Sequence, residues 1–167
     1  MTLIFYLTAA VAVLASLLFV TSINAVHGLL NLIVSFLAVA IIMFLLGAPF
    51  AAALEVIVYA GAIMVLFIFV VMMLDNGAES AAQERRWVMP RIWWEPSALA
   101  VILLVEVIVL IGTEPGAPAV APHHVEPKEV GAVLLGPYVL GVELASIILL
   151  PAILGAYHLG RRRRDER

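Results

Sequence analysis

Residues 54–74 read LEVIVYAGAIMVLFIFVVMML, and from Val56 to Leu74 there is no charge, proline, asparagine or serine. A helix of that length covers roughly 30 Å, the thickness of bilayer hydrocarbon, so the stretch reads as a membrane span. Three features separate it from a plain lipid anchor. It opens on an acid, Glu55. Its waist is small, with Ala60, Gly61 and Ala62 beside Tyr59. Its second half is stiff and bulky (Val65, Phe67, Ile68, Phe69, Val70, Val71). Glycine among β-branched residues weakens the helical ladder, and small residues in a span let a neighbouring helix approach closely. Two readings stand, a tightly packed strut and a helix that changes register.

The remainder of the chain is of the same kind. Of 167 residues, 65% are hydrophobic and 13% charged, with a mean hydropathy of +1.15. A soluble core of this size does not need so much apolar material, which makes the chain an all-α, polytopic membrane protein. The net charge of −3 carries no nucleic-acid signal, because the charges gather in loops and the tail. With no cysteine, disulfides, thiolate metal sites and cysteine-ligated iron–sulfur clusters are excluded on this chain.

Five spans are predicted, at about 2–22, 27–46, 54–74, 97–112 and 137–158, within a single membrane domain. The first has no Lys or Arg ahead of it and is expected to be a retained helix rather than a cleaved signal. Asn24 is placed to cap the second. Gly47, Ala48 and Pro49 end it, with Pro49 expected to begin a short loop. Residues 75–96 form a wet loop with Trp87, Trp93 and Trp94, which suit the membrane interface. Residues 113–133 read as an extended Pro-rich outer loop. Pro137 is placed for the first turn of the last span, and Pro151 predicts a kink within it.

Five spans put the termini on opposite sides. Arg85, Arg86 and Arg91 lie in the loop and five arginines in the tail 160–167, leaving only Lys128 of the nine basic residues elsewhere. Basic residues stay inside, so loop 75–96 and the tail are expected in the cytoplasm and the N-terminus in the periplasm.

An acid within a span marks a functional candidate. Glu55 falls in the first turn of the central span as read here. Glu143 lies about 9 Å past Pro137 at helical rise, and Glu106 is roughly mid-bilayer among Ile102, Leu103, Val109 and Leu110. Nothing in its own helix can pair with Glu106. It is either protonated and bonded to a neighbouring helix or bordered by water. His27 and His158 fall near helix ends on one side, where two imidazoles could in principle ligate a haem. His123, His124 and Glu126 make at most a weak metal signal.

The central span resembles the third helix of the subunit J family of bacterial NADH:quinone oxidoreductase, respiratory complex I. The resemblance extends to NAVHGLL (24–30), GAPFAAALE (47–55), QERRW (83–87), GPYVLGVELAS (136–146) and GAYHLGRR (155–162). It covers the chain end to end, and the Gly-Pro-Tyr form of the fifth-span motif is most like the proteobacterial branch. The fourth span is only generically similar, so the family lends Glu106 no role. The resemblance implies a non-redox membrane-arm subunit of the bacterial inner membrane, in contact with subunits K, H, A and N. FMN, iron–sulfur clusters and quinone belong to partner subunits. It further implies that the third helix can carry a π-bulge and switch between bulged and straight forms, making or breaking a proton path. One extra residue in a turn rotates everything beyond it by ~100°. The carried-over region is Tyr59 to Phe67, with Gly61 as the soft point and Val65 and Phe67 as side chains that change face.

Two other readings belong beside this one. An autonomous small-ion transporter usually shows two related halves, and no internal repeat is present. A haem-binding anchor rests on His27 and His158 alone.

Overall fold

The computed structural model describes residues 2–74, 90–112 and 125–160. Arg85, Arg86, Trp87, His123, His124 and the arginines of the tail, on which parts of the sequence reading rest, lie outside these residues. Among the described residues every element is helical: α1 (Thr2–Thr21), α2 (Ala25–Leu45), α3 (Pro49–Leu54), a π-helix (Glu55–Ile63), α4 (Met64–Leu74), α5 (Pro90–Gly112), α6 (Pro127–Leu134) and α7 (Val139–Gly160). Five runs are long and apolar enough to cross a membrane: Thr2–Thr21, Ala25–Leu45, Pro49–Met73, Trp93–Gly112 and Val139–Gly160. The chain is thus an all-α, multi-pass membrane protein. It forms two compact units that divide between Val125 and Glu126.

The first unit is built on the α1–α2 pair. Asn24 caps α2, its Oδ1 accepting from the backbone N–H groups of Val26 at 3.0 Å and His27 at 3.2 Å. Val11, Ala12 and Ala15 of α1 pack with Val34 and Ala38 of α2 and Leu103 of α5. In lipid there is little hydrophobic drive between helices, so close backbone approach over alanines and interhelical hydrogen bonds supply the attraction. Ser35 donates to the carbonyl of Ala12 at 3.1 Å. The Ser16 hydroxyl lies 2.9 Å from Ser35 Oγ. The Ser35 proton is already committed to Ala12, so Ser16 donates to Ser35, and both hydroxyls are satisfied.

Helix α2 closes in a Schellman motif. Gly47 has φ 85°, its N–H donates to Phe44 O at 3.1 Å, and the Ala48 N–H donates to Met43 O at 3.0 Å. Glycine alone takes this left-handed turn without strain.

The next residues depart from the sequence reading. Pro49 is the first residue of α3, not the start of a loop. Its missing N–H is one the first turn leaves unbonded anyway. The third span therefore starts five residues earlier than expected, and Glu55 sits about 9 Å along the rod instead of in its first turn. The fourth span is longer too. Helix α5 begins at Pro90 and runs through Pro96, its seventh residue, at the cost of a ladder bond.

In the second unit, Pro127–Leu134 forms the amphipathic helix α6, with Pro127 in its first turn, where extended loop was expected as far as 133. Its chain turns over residues 135–138 into α7, with Val139 N–H donating to Gly136 O at 3.2 Å. Pro137 thus lies in the turn, and the fifth span runs Val139–Gly160 where 137–158 was expected. The helix continues past Pro151. No residue of α7 is buried within its own unit.

Candidate functional site

The third span is a single rod with a change of helical type inside it. Helix α3 enters in α register, where the Glu55 N–H donates to the carbonyls of Ala51 and Ala52. Nine residues, Glu55–Ile63, are then wound as a π-helix. On leaving it, the Met64 N–H donates to Tyr59 O, five residues back, and α4 resumes α register. A nine-residue π segment is well beyond the single-turn bulge in which this geometry usually occurs.

The sequence shows why the wide turn is tolerated. A Cβ on residue 61 would lie 3.2 Å from Val56 O, the carbonyl that π register brings alongside. Gly61 has no Cβ and leaves that carbonyl uncrowded. The β-branched neighbours Val56, Ile57 and Val58 gain little from tight α winding. The rod is held to α2 at its middle by Tyr59, whose ring meets Phe36 at 5.5 Å between centroids and 52° between planes.

Glu55 begins the π-helix and is buried, with 9% of its surface exposed. Ala60 is buried too, whereas Val65 and Phe67, on α4 beyond the π-helix, are each more than half exposed. The structure therefore gathers Glu55, Tyr59 and Gly61 into one segment and places Val65 and Phe67 just past it. It does not bring every candidate acid there. Glu106 lies on α5 against α1, where Thr8 Oγ1 is 2.7 Å from its Oε2. Glu143 is the fifth residue of α7, in the second unit, and is exposed within it.

His27 is already engaged. Its Nε2 lies 3.2 Å from Glu95 Oε2 and 3.5 Å from Asn31 Nδ2. That carboxylate competes for the nitrogen a haem iron would take. Among the described residues no three His, Asp or Glu side chains come together as metal ligands. Phe36, Thr8, Asn31 and Glu95 are the contact partners of these candidates that sequence reasoning missed. The available signal was weak: Thr8 and Asn31 are isolated polar residues in apolar helices, and both are wholly buried.

The chain is similar to known proteins along most of its length. Residues 15–159 match the family model of NADH-ubiquinone/plastoquinone oxidoreductase chain 6. The chain is 56% identical over 158 residues to NADH-quinone oxidoreductase subunit J of Pseudomonas aeruginosa, covering 95% of each chain. It is 48% identical over 161 residues to the subunit J of Escherichia coli K12, covering 96% of this chain and 86% of that one. Against the subunit J of Buchnera aphidicola subsp. Schizaphis graminum the identity is 42%, over 96% of this chain and 98% of the relative.

Proposed function

Since this chain belongs to the NADH-ubiquinone/plastoquinone oxidoreductase chain 6 family, we propose that it is a non-redox membrane subunit whose third span couples quinone reduction to proton movement. The observation that carries this reading is the π-helix Glu55–Ile63, set between two α segments of one rod. A π-helix is a strained minority geometry, so a return to α winding is within reach of a modest driving force. Removing one extra residue from the winding turns α4 by ~100° relative to α3. Val65 and Phe67 then sweep to another side of the rod. Side chains of that bulk decide whether water can pass beside it.

Glu55, on the entry side of the π-helix, is the acid at which a proton path begins or ends. The Tyr59 hydroxyl and the small waist at Gly61 offer the way past. Glu143 supplies a second acid from the fifth span. In this account FMN, iron–sulfur clusters and quinone are held by partner subunits, and the proton path leads toward subunit K. Subunits H, A and N are the other neighbours. The chain sits in the bacterial inner membrane with its N-terminus periplasmic and its C-terminus cytoplasmic.

The test is Gly61→Leu in the assembled complex. A Cβ there would crowd Val56 O, and leucine favours α winding over glycine by about 1 kcal/mol, too little to abolish assembly. It is comparable with the gap between two populated conformers, so it holds the rod in one state. The expected result is normal NADH oxidation with artificial acceptors, slow quinone-linked turnover and little pumping. Wild-type pumping by Gly61→Leu makes the span a packed strut.

A further inference from the structure

The buried contact between α1 and α5 carries a conclusion about one proton. Thr8 is fully buried and Glu106 is 4% exposed. Thr8 Oγ1 lies 2.8 Å from the carbonyl oxygen of Ile4 and 2.7 Å from Glu106 Oε2. Both are full-strength hydrogen-bond distances. A hydroxyl has a single proton to give. If Glu106 were a carboxylate, both neighbours of Thr8 would be acceptors, and one short contact would hold no proton. The Ser16–Ser35–Ala12 chain between α1 and α2 meets no such shortage, because each hydroxyl supplies the proton its next partner needs.

The other carboxyl oxygen points the same way. Glu106 Oε1 is buried and has no hydrogen-bond partner among the described residues. Leaving a charged oxygen so placed costs far more than leaving a neutral carbonyl oxygen. Among the described residues, the helices packed against α5 bring it no compensating charge. Helix α1 has Tyr6 as its only titratable side chain, and it is exposed. The one titratable residue of α2 is His27, which is bonded to Glu95. On α5 itself, Glu95 and Arg91 precede Glu106 by eleven and fifteen residues, about 16 Å or more along the axis.

We infer that Glu106 is a proton-holding site: an un-ionised carboxylic acid whose O–H donates to Thr8 Oγ1 while Thr8 donates to Ile4 O, clipping the first span to the fourth. The inference stands apart from the third-span switch and does not depend on it. Releasing that proton would turn the Thr8 hydroxyl from Ile4 O to the carboxylate, so the proton is tied to the Thr8–Ile4 bond.

Infrared spectroscopy of the assembled complex at neutral pH tests this. The difference between wild type and Glu106→Gln should contain the carbonyl band of an un-ionised carboxylic acid that shifts in D2O. Glutamine keeps an N–H donor for Thr8, so assembly is expected to survive. Thr8→Val should move that same band to higher frequency, as the acid loses its acceptor, and Thr8→Ser should leave it in place. Should Glu106→Gln fail to assemble, the band displaced between Thr8→Val and Thr8→Ser gives the same reading. The inference is overturned if Glu106→Gln removes only carboxylate bands, or if Thr8→Val leaves the carboxylic-acid spectrum unchanged.

Discussion

Tyr59 in the middle of the π-helix rests against Phe36 of α2, ring centroids 5.5 Å apart. This contact ties the strained part of the third span to the best-packed pair in the molecule. An aromatic pair is worth about 0.5–1.5 kcal/mol beyond its buried area. Losing it therefore shifts a two-state balance by about 2- to 10-fold.

Phe36→Ala is accordingly expected to leave the complex assembled and to slow quinone-linked turnover by a factor in that range. Tyr59→Phe keeps the ring contact and reports on the hydroxyl alone. Turnover measured beside artificial-acceptor activity checks both variants. Equal turnover in Phe36→Ala and wild type would mean that the contact does not bias the rod.

Gly61→Ala is a smaller test than leucine, with a sharper expectation. Alanine favours α winding over glycine by roughly 0.5–1 kcal/mol. In π register its Cβ meets Val56 O at 3.2 Å. Both effects favour the straight form. The expected phenotype lies between wild type and Gly61→Leu, with quinone-linked turnover reduced and artificial-acceptor activity intact.

The spans themselves were legible, because uninterrupted apolar runs of about twenty residues have few other uses. Asn24 was legible as a cap because its side chain acts on the next turn. The prolines were misread for one physical reason. Pro49 reads as a breaker and Pro127 as part of an extended loop, yet each sits in a first turn where a missing N–H costs nothing. The π register was less legible. Gly61 and its β-branched neighbours marked a weak ladder, but which carbonyl each N–H selects depends on packing against α2. The Thr8–Glu106 pairing was out of reach, since the two residues are separated by 98 positions and only the tertiary fold joins them.

Orientation has its own test. Eight of the nine basic residues lie within residues 75–96 or the tail, and basic residues remain cytoplasmic. A reporter fused after Arg164 should be active only in the cytoplasm, and one placed within residues 118–127 only outside. The reverse pattern contradicts the assigned orientation.

The acids of the proposed path can be separated from the rod. Glu55→Gln and Glu143→Gln retain shape and remove charge, so the complex should assemble. Proton pumping per NADH should fall while quinone reduction persists in part. Full pumping in both variants would leave these residues as hydrogen-bonding groups only.

The central claim is that α4 turns relative to α3, and thiol labelling reads it most directly. The chain has no cysteine, so single cysteines at positions 53, 65 and 67 report on α3 and α4 without interference from within the chain. Labelling rates are compared in the assembled complex, first with the quinone site blocked and then during NADH-driven turnover. A turn of ~100° beyond the π-helix predicts changed rates at 65 and 67 and an unchanged rate at 53. Identical rates at all three positions under both conditions would contradict the switch.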